Sequence, residues 1–485
     1  MLIDRPAATT VAPLEFALAH GDGIGPEIMA ATLSILEAAN VPVAPREIHI
    51  GEQLYGAGHS SGIAPEAWDA IEATGLLLKA PITTPLGKGV KSLNVTMRKT
   101  LGLYANVRPN MAYAPYVPTH FPGMDIIIVR ENEEDLYAGI EHRQTDDVFQ
   151  CLKIVSRSGC ERIVRYAFEL ARAQGRKKVT CVTKNNIMKL TDGVFADVFD
   201  TIGLEYPNIV QEHMIVDIAA ARIATEPYRF DVIVTPNLYG DILSDIAAEV
   251  AGSVGLSPSA NIGARAAMFE AIHGSAPSLA GQDAANPSGL LLAACMMLDH
   301  TGRGEAASLI RNAWSRAVED GIATRDMGGT LGTTAFAAEV SARLGSVPRK
   351  MKVAVPAPPL QIVQPSDVVT VARAKRECVG IDIFVQDRAL DANLLAAALR
   401  AVPLDNFELT MITNRGVKVW PKPNPNTILT DHWRCRFMAK LGAHVTRTEA
   451  IEAALLLSRA GIDVVKTEGL YTFDDVPGYS LGQGQ

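Results

Sequence analysis

Asp241 and Asp245 stand four residues apart in the run Asn237-Leu238-Tyr239-Gly240-Asp241-Ile242-Leu243-Ser244-Asp245. On a helix that spacing puts both carboxylates on one face, where they repel unless a cation lies between or near them. Hard oxygen donors of this kind suit Mg2+ or Mn2+. A third acid, Asp217, ends the run Met214-Ile215-Val216. A plainer role is equally open: Asp241 as a negative charge at a helix N-terminus. Three arginines, Arg98, Arg108 and Arg130, lie near the ends of expected elements. A guanidinium fork holds a carboxylate through two parallel bonds, so three forks suit a substrate with several carboxylates. Surface ion pairing is the ordinary alternative for each of them. Tyr137 follows the acidic run Glu131 to Asp135. A phenol there can serve as a general acid if a nearby cation offsets the carboxylates, although most tyrosines only pack and hydrogen-bond. Lys184 follows an apolar run and can be a base if burial or cations lower its pKa.

Two small-residue segments could bring backbone close to a ligand. Gly21-Asp22-Gly23-Ile24-Gly25-Pro26-Glu27 opens a helix, with Pro26 suited to its first turn. It lacks the G-x-G-x-x-G spacing and reads as well as a tight strand-to-helix turn. Ala271-Ile272-His273-Gly274-Ser275-Ala276-Pro277 leads to Ala280–Pro287, otherwise a long surface loop.

The elements that must position these groups alternate. Leu14–Ala19, Ile126–Val129, Lys178–Val182 and Asp231–Thr235 read as strands, and Pro26–Ala39, Gly159–Ala173 and Ser308–Glu319 as helices. That pattern predicts an α/β architecture with helices on both faces of a sheet. Prolines at 348, 356, 358, 359 and 365 mark a linker, and a second unit follows. In it, Val368–Arg373, Gly380–Val385, Phe407–Thr413, Val417–Trp420 and Asp463–Lys466 read as strands, and Asp391–Arg400 and Thr448–Arg459 as helices. The division expected is a catalytic unit at 1–345, a linker at 346–366 and a small α+β domain at 367–485.

Composition sets the frame. The chain has 485 residues, a net charge of -8 and 48% apolar residues, which excludes a disordered chain. Its acidity argues against coating nucleic acid. Arg434, Arg436 and Lys440 form a basic cluster, read more readily as a solvated helix face or dimer contact. No apolar run is long enough to span a bilayer; Ser288–Leu298 reads as a core helix. The six cysteines show no CxxC pair and read as buried thiols in a reducing compartment. Met1–Val11 lacks an apolar signal stretch, so the expectation is a cytoplasmic protein without membrane or nucleic-acid partners.

Taken together and in order, these segments resemble the isocitrate and isopropylmalate dehydrogenase family of metal-dependent decarboxylating dehydrogenases. The matching stretches are GDGIGPE, APITTPLGKGVKSLNVTMRK, LYANVRP, IVRENEEDLYAGIE, VTKNNIMK, VDIAA, TPNLYGDILSD and EAIHGSAPSLAGQDAANPSG. After the linker, IDIFVQD, MITNRGVKVWP and LTDHWRCRFMA are similar to long-chain dimeric bacterial members with an extra C-terminal domain. The resemblance implies a large and a small lobe around a mixed sheet, not a standard Rossmann fold. It implies Ser92, Asn94, Arg98, Arg108 and Arg130 as ligands of isocitrate. It implies Tyr137 and Lys184 as the acid–base pair, and Asp217, Asp241 and Asp245 as ligands of Mg2+ or Mn2+. Thr83, His273, Gly274, Ser275, Ala276, Pro277, Ser278, Leu279 and Asn286 would bind the nicotinamide cofactor. Lys184 and Asp217 would reach the site from a partner subunit, which makes a homodimer obligatory.

The polar pair Ser92 and Asn94 favours isocitrate over isopropylmalate, because an isopropyl group would leave buried polar groups unpaired. Homoisocitrate and tartrate are further alternatives. A non-catalytic regulatory subunit is disfavoured, since every catalytic and metal position is filled. Phosphate-preferring members place Lys and Tyr after HGSAP or HGTAP, and NAD-preferring members place Asp there; this chain has Ser278 and Leu279. Without a dedicated cation a 2′-phosphate binds weakly, and Thr324-Arg325-Asp326-Met327-Gly328-Gly329 resembles the NAD-preferring pattern, so NAD is expected over NADP, with Arg325 or Ser278 as the groups that could still hold a phosphate.

Overall fold

The computed structural model describes residues 12–59, 61–83, 92–357, 359–360, 362–364, 373–422 and 425–482. The chain forms two compact units: Met1–Tyr137 with Ile154–Val369, and Ala138–Lys153 with Thr370–Gln485. The strands in chain order are β1 (Leu14–Ala19), β2 (Val43–Glu47), β3 (Leu76–Lys79), β4 (Ala105–Met111), β5 (Asp125–Glu131), β6 (Glu141–Arg143) and β7 (Phe149–Cys151). There follow β8 (Lys178–Thr183), β9 (Val210–Ile215), β10 (Val232–Thr235), β11 (Pro258–Ile262) and β12 (Ala267–Ala271). The last are β13 (Arg376–Gln386), β14 (Phe407–Asn414), β15 (Val417–Trp420), β16 (His432–Ala439), β17 (Val464–Phe473) and β18 (Val476–Pro477).

In the first unit ten strands form one sheet, in the order β2-β1-β3-β12-β11-β4-β5-β10-β8-β9. The two wings pair in parallel, while β11 runs antiparallel to both β12 and β4, and β4 antiparallel to β5. The expected mixed α/β sheet is therefore present. Inner strands such as β1 are apolar on both sides, as strands covered on both faces must be: Phe16, Ala17 and Leu18 are all fully buried. The helix Arg157–Ala173, capped by the Ser156 hydroxyl, packs Phe168 in a stack with Phe199 and Tyr206. Ser288–His300 is the core helix expected, with its first eight residues buried. Among the described residues no helix is long and apolar enough to cross a membrane.

In the second unit six antiparallel strands lie in the order β15-β14-β16-β13-β17-β18. The helices Ala392–Ala401 and Arg447–Arg459 pack Leu395, Leu399, Ala453 and Leu457 against Ile383, Trp433, Cys435 and Phe437. Four strands and two helices thus make a split βαβ arrangement. A capping box between Thr446 and Glu449 starts the second helix, and Asp391 caps the first. The hairpin β6–β7 belongs to this unit. Thr145 bonds Asp431 at 2.6 Å, Gln386 donates to Asp146 at 3.0 Å, and Lys466 donates to Gln150 at 3.4 Å.

Three expectations change. The basic cluster lies on and just after a strand, β16, not on a helix face. Arg436 is buried and makes two 2.8 Å bonds to Asp382, so its charge is already neutralised. Cys151 is exposed and Cys378 half-buried, so only Cys160, Cys181, Cys295 and Cys435 are buried thiols. The strand expected at Val368–Arg373 lies outside the described residues except for Arg373, which is not in a strand.

Candidate active site

Arg98 lies on the helix Leu93–Thr100, Arg108 on β4 and Arg130 at the end of β5, and all three are buried. A buried guanidinium needs partners, and each has them. Arg98 donates to Glu270 at 3.1 Å, and Glu270 also takes Lys79 at 2.7 Å. Arg108 donates to Asn106 at 2.7 Å and to Ser244 at 2.6 Å. Arg130 donates twice to Asn237, at 3.0 and 2.8 Å, and once to Asp241. Asn261 joins the set by donating to Glu270 at 2.9 Å and accepting from Asn106 at 2.8 Å. A polar row therefore crosses the antiparallel middle of the sheet from Lys79 on β3 to Arg130 on β5. Burial, with Arg108 and Arg98 nearby, pushes the Arg130 guanidinium down to about 9, so it remains a cation at neutral pH.

The helix Asn237–Ala251 supplies Asp241 and Asp245. Both carboxylates lie 3.4 Å from the same nitrogen, Arg108 Nη1, so they converge as their spacing implied. Asp241 lies beyond the first turn and makes no cap; the helix begins at Asn237. Its carboxyl is held below the usual range: burial alone would raise it, and Arg130, Arg108 and the Tyr137 phenol outweigh burial. Tyr137 donates to Asp241 Oδ2 at 2.6 Å, with the Arg130 guanidinium 4.8 Å from its ring centre. Burial and the bond to Asp241 push the phenol up, so it keeps its proton at neutral pH. Gly240 lets this helix approach β5. A Cβ there would stand 2.5 Å from Arg130 Cγ.

Among the described residues, the buried Asn94 Oδ1 and Arg98 Nε of the cluster have no partner. Orphans of this kind are rare in a finished interior and are what a polar ligand would satisfy. Ser92 stands just before the helix Leu93–Thr100 and makes no cap bond.

Lys184 and Asp217 form a separate pair, with Lys184 Nζ 2.5 Å from Asp217 Oδ1. Lys184 follows β8, and its backbone N–H is fixed by Asp192 at 2.7 Å. The bond from Lys184 holds the exposed Asp217 carboxyl below its usual range. Among the described residues no three His, Cys, Asp or Glu side chains come close enough to hold a metal, so Asp217 does not join Asp241 and Asp245 within one chain. The donor set of Asp241 and Asp245 is hard oxygen and convergent, which fits a small divalent cation given a further carboxylate.

The segment His273–Leu279 follows β12. Its Ser275 hydroxyl meets Thr83 Oγ1 at 2.7 Å, and Ile24 N donates to the Ser275 carbonyl at 2.9 Å. His273 Nε2 is buried and has no partner among the described residues, and burial pushes its pKa down. Ala276 is held at φ 38°, and Ser278 and Leu279 are exposed. Asn286 donates to Asp326 at 2.9 Å, and the exposed Arg325 beside it has no ion pair among the described residues. Sequence reading passed over Lys79, Glu270, Asn106, Asn237, Ser244 and Asn261. The available signal was a charge inside an apolar strand, as in Leu76-Leu77-Leu78-Lys79.

Family comparison matches residues 15–341 to isocitrate/isopropylmalate dehydrogenase and residues 376–485 to the bacterial isocitrate dehydrogenase C-terminal domain. An isocitrate dehydrogenase [NADP] of Rickettsia bellii is 51% identical over 476 residues, covering 96% of this chain and 98% of that one. Subunit 2 of the mitochondrial isocitrate dehydrogenase [NAD] of Saccharomyces cerevisiae is 44% identical over 330 residues, 67% of this chain and 89% of that one. A crystal structure of a Thermus thermophilus protein superposes with a TM-score of 0.92 at 42% identity, covering 97% and 96% of the two chains. These findings correct one expectation. NAD was preferred because Ser278 and Leu279 offer no cation, yet the Rickettsia relatives that match end to end are named for NADP. Two positions without a cation do not exclude one elsewhere in the chain. From its sequence, its fold and the groups gathered around Asp241, the chain belongs to the isocitrate/isopropylmalate dehydrogenase family.

Proposed function

We propose that the chain catalyses oxidative decarboxylation of isocitrate to 2-oxoglutarate and CO2, with reduction of NADP, as a homodimer. The observation that supports it most is the convergence of two buried arginines, Arg108 and Arg130, on Asp241, to which Tyr137 also donates, with the buried Arg98 cation close enough to lower the Asp241 pKa, because a tricarboxylate needs several cations and the reaction needs a protonated acid. Arg98, Arg108 and Arg130 hold the carboxylates, and the polar Ser92 and Asn94 satisfy the third one. Held by their own partners, the guanidinia need little reorganisation when the substrate arrives. Asp241 and Asp245 would hold Mg2+ or Mn2+, which would supply Lewis acidity toward the substrate hydroxyl, and the bound nicotinamide would supply the hydride acceptor. Lys184, bonded to Asp217, assists removal of the hydroxyl proton. Tyr137, kept protonated by burial and by Asp241, donates its proton to the carbon that loses CO2. Lys184 and Asp217 act in the site of a second copy of the chain, and their pairing with each other is consistent with that division.

His273–Leu279 and Asn286 carry the nucleotide, and Arg325 is the cation for the 2′-phosphate. Steady-state assay with isocitrate and Mg2+ tests the proposal. NADP is expected to exceed NAD in kcat/KM by about tenfold or more, and Arg325→Ala to erase most of that preference while sparing the NAD rate. Turnover of isopropylmalate in place of isocitrate sinks the substrate reading, and an undiminished preference in Arg325→Ala sinks the phosphate reading.

A further inference from the structure

We infer that Asp22 is a positioning residue for the nicotinamide cofactor, acting through Thr83 and Ser275. The inference rests on the reading of His273–Leu279 as the cofactor loop. The carboxylate of Asp22 accepts from the backbone N–H of Thr83 at 2.9 Å, and from the N–H of Glu52 at 3.1 and 3.2 Å. Thr83, so fixed, presents its hydroxyl to Ser275 Oγ at 2.7 Å. The backbone of the same turn holds both neighbours: Asp22 N donates to the Pro81 carbonyl at 2.8 Å, and Ile24 N to the Ser275 carbonyl at 2.9 Å.

The glycines on either side of Asp22 make this approach possible. Gly21 and Gly23 sit at φ 68° and 59°, and a Cβ on them would stand 2.2 Å from the Pro81 oxygen and 2.0 Å from the Ser275 oxygen. Gly21-Asp22-Gly23 is thus more than a strand-to-helix turn. It is a wedge joining the segment that ends β3 to the segment that follows β12. Ala276 shows why the loop needs such a pin. A left-handed alanine carries a conformational cost and persists only where its surroundings over-determine it. Ser275, the residue before it, is held at carbonyl and hydroxyl together. Without the Asp22 carboxylate, Thr83 loses its acceptor, and the ordering of the loop must be supplied by cofactor binding itself.

The test is equilibrium binding of NADPH, read by its fluorescence, on the full-length protein, together with steady-state kinetics and thermal melting. Asp22→Ala should raise the NADPH Kd and the cofactor KM about tenfold, with kcat and the isocitrate KM within about twofold of wild type. Asp22→Asn keeps one acceptor oxygen for Thr83 N–H and should recover part of the loss. If Asp22→Ala does not fold, Asp22→Asn carries the same comparison. An unchanged NADPH Kd overturns the proposal. So does a parallel fall of cofactor affinity, isocitrate affinity and kcat, which marks general disruption. Ser275→Ala and His273→Ala identify which reading failed. If both leave the Kd unchanged, the loop reading falls and Asp22 with it. If they raise it while Asp22→Ala does not, the Asp22 proposal falls alone.

Discussion

Glu270 is fully enclosed between Lys79 and Arg98, and its chemistry follows from that enclosure. Burial by itself would raise its pKa; the two cations and the Asn261 amide outweigh burial and hold it well below the usual carboxylate range. A carboxyl depressed in the folded state contributes stability above its unfolded pKa, about 4.3, and loses it as pH falls toward the folded value. Glu270→Gln should therefore cost about 3–5 kcal/mol at neutral pH, because Lys79 and Arg98 are left buried and uncompensated. It should also flatten the decline in melting temperature below about pH 4.3. Melting curves of both proteins from pH 3 to 8 check this, and an acid limb as steep as wild type counts against it. Arg98 was legible in the sequence as a candidate ligand, but the residue that orients it was not. Glu270 lies inside Ala267–Ala271 and opens the stretch EAIHGSAP, but the sequence assigned it no role.

At the scale of elements, the helix Asn237–Ala251 is placed by what it lacks. Gly240 faces Arg130, and the gap left by its missing side chain lets Arg130 reach Asn237 and Asp241. Gly240→Ala improves helix propensity by about 1 kcal/mol, yet it should push the helix from β5. Loss of about tenfold or more in kcat/KM for isocitrate is expected, since misplacement by a fraction of an ångström disturbs three groups at once. Circular dichroism with kinetics separates this from unfolding, and wild-type kcat/KM in a folded variant would refute it. Several elements were readable from periodicity, and Leu14–Ala19 and Val417–Trp420 match to the residue. β16 was not read, although Trp433, Cys435 and Phe437 alternate with Arg434 and Arg436 as a half-buried strand should. The charges drew attention from the period, and only the pairing with Asp382 across the sheet explains a buried arginine there.

For the whole molecule, two outcomes follow from how the chain is divided. If Lys184 serves a second copy, Tyr137→Phe and Lys184→Ala are each inactive, but unfolding and refolding them together should restore about a quarter of wild-type activity. Half the dimers would be mixed, with one intact site each. No recovery in the mixture argues for a site within one chain. Truncation after Pro365 strips the hairpin residues Thr145, Asp146 and Gln150 of their partners Asp431, Gln386 and Lys466. It should lower the melting temperature by several degrees and reduce the fraction of dimer, while isocitrate affinity changes less. Unchanged melting and an unchanged dimer fraction would refute that role.

What the residues alone determine here is chemistry and class. Carboxylates four apart, arginines at element ends and the alternation of apolar runs are local properties, because helix and strand periods act within a few residues. Three things are decided only by tertiary structure. The sheet brings Lys79, Glu270, Asn261 and Asn106 into one buried row from four different strands. The hairpin Ala138–Lys153 is packed with a unit that begins more than two hundred residues later. Asp22 becomes a pin between two loops. Each depends on contacts between segments far apart in the chain, and no window of sequence contains both partners.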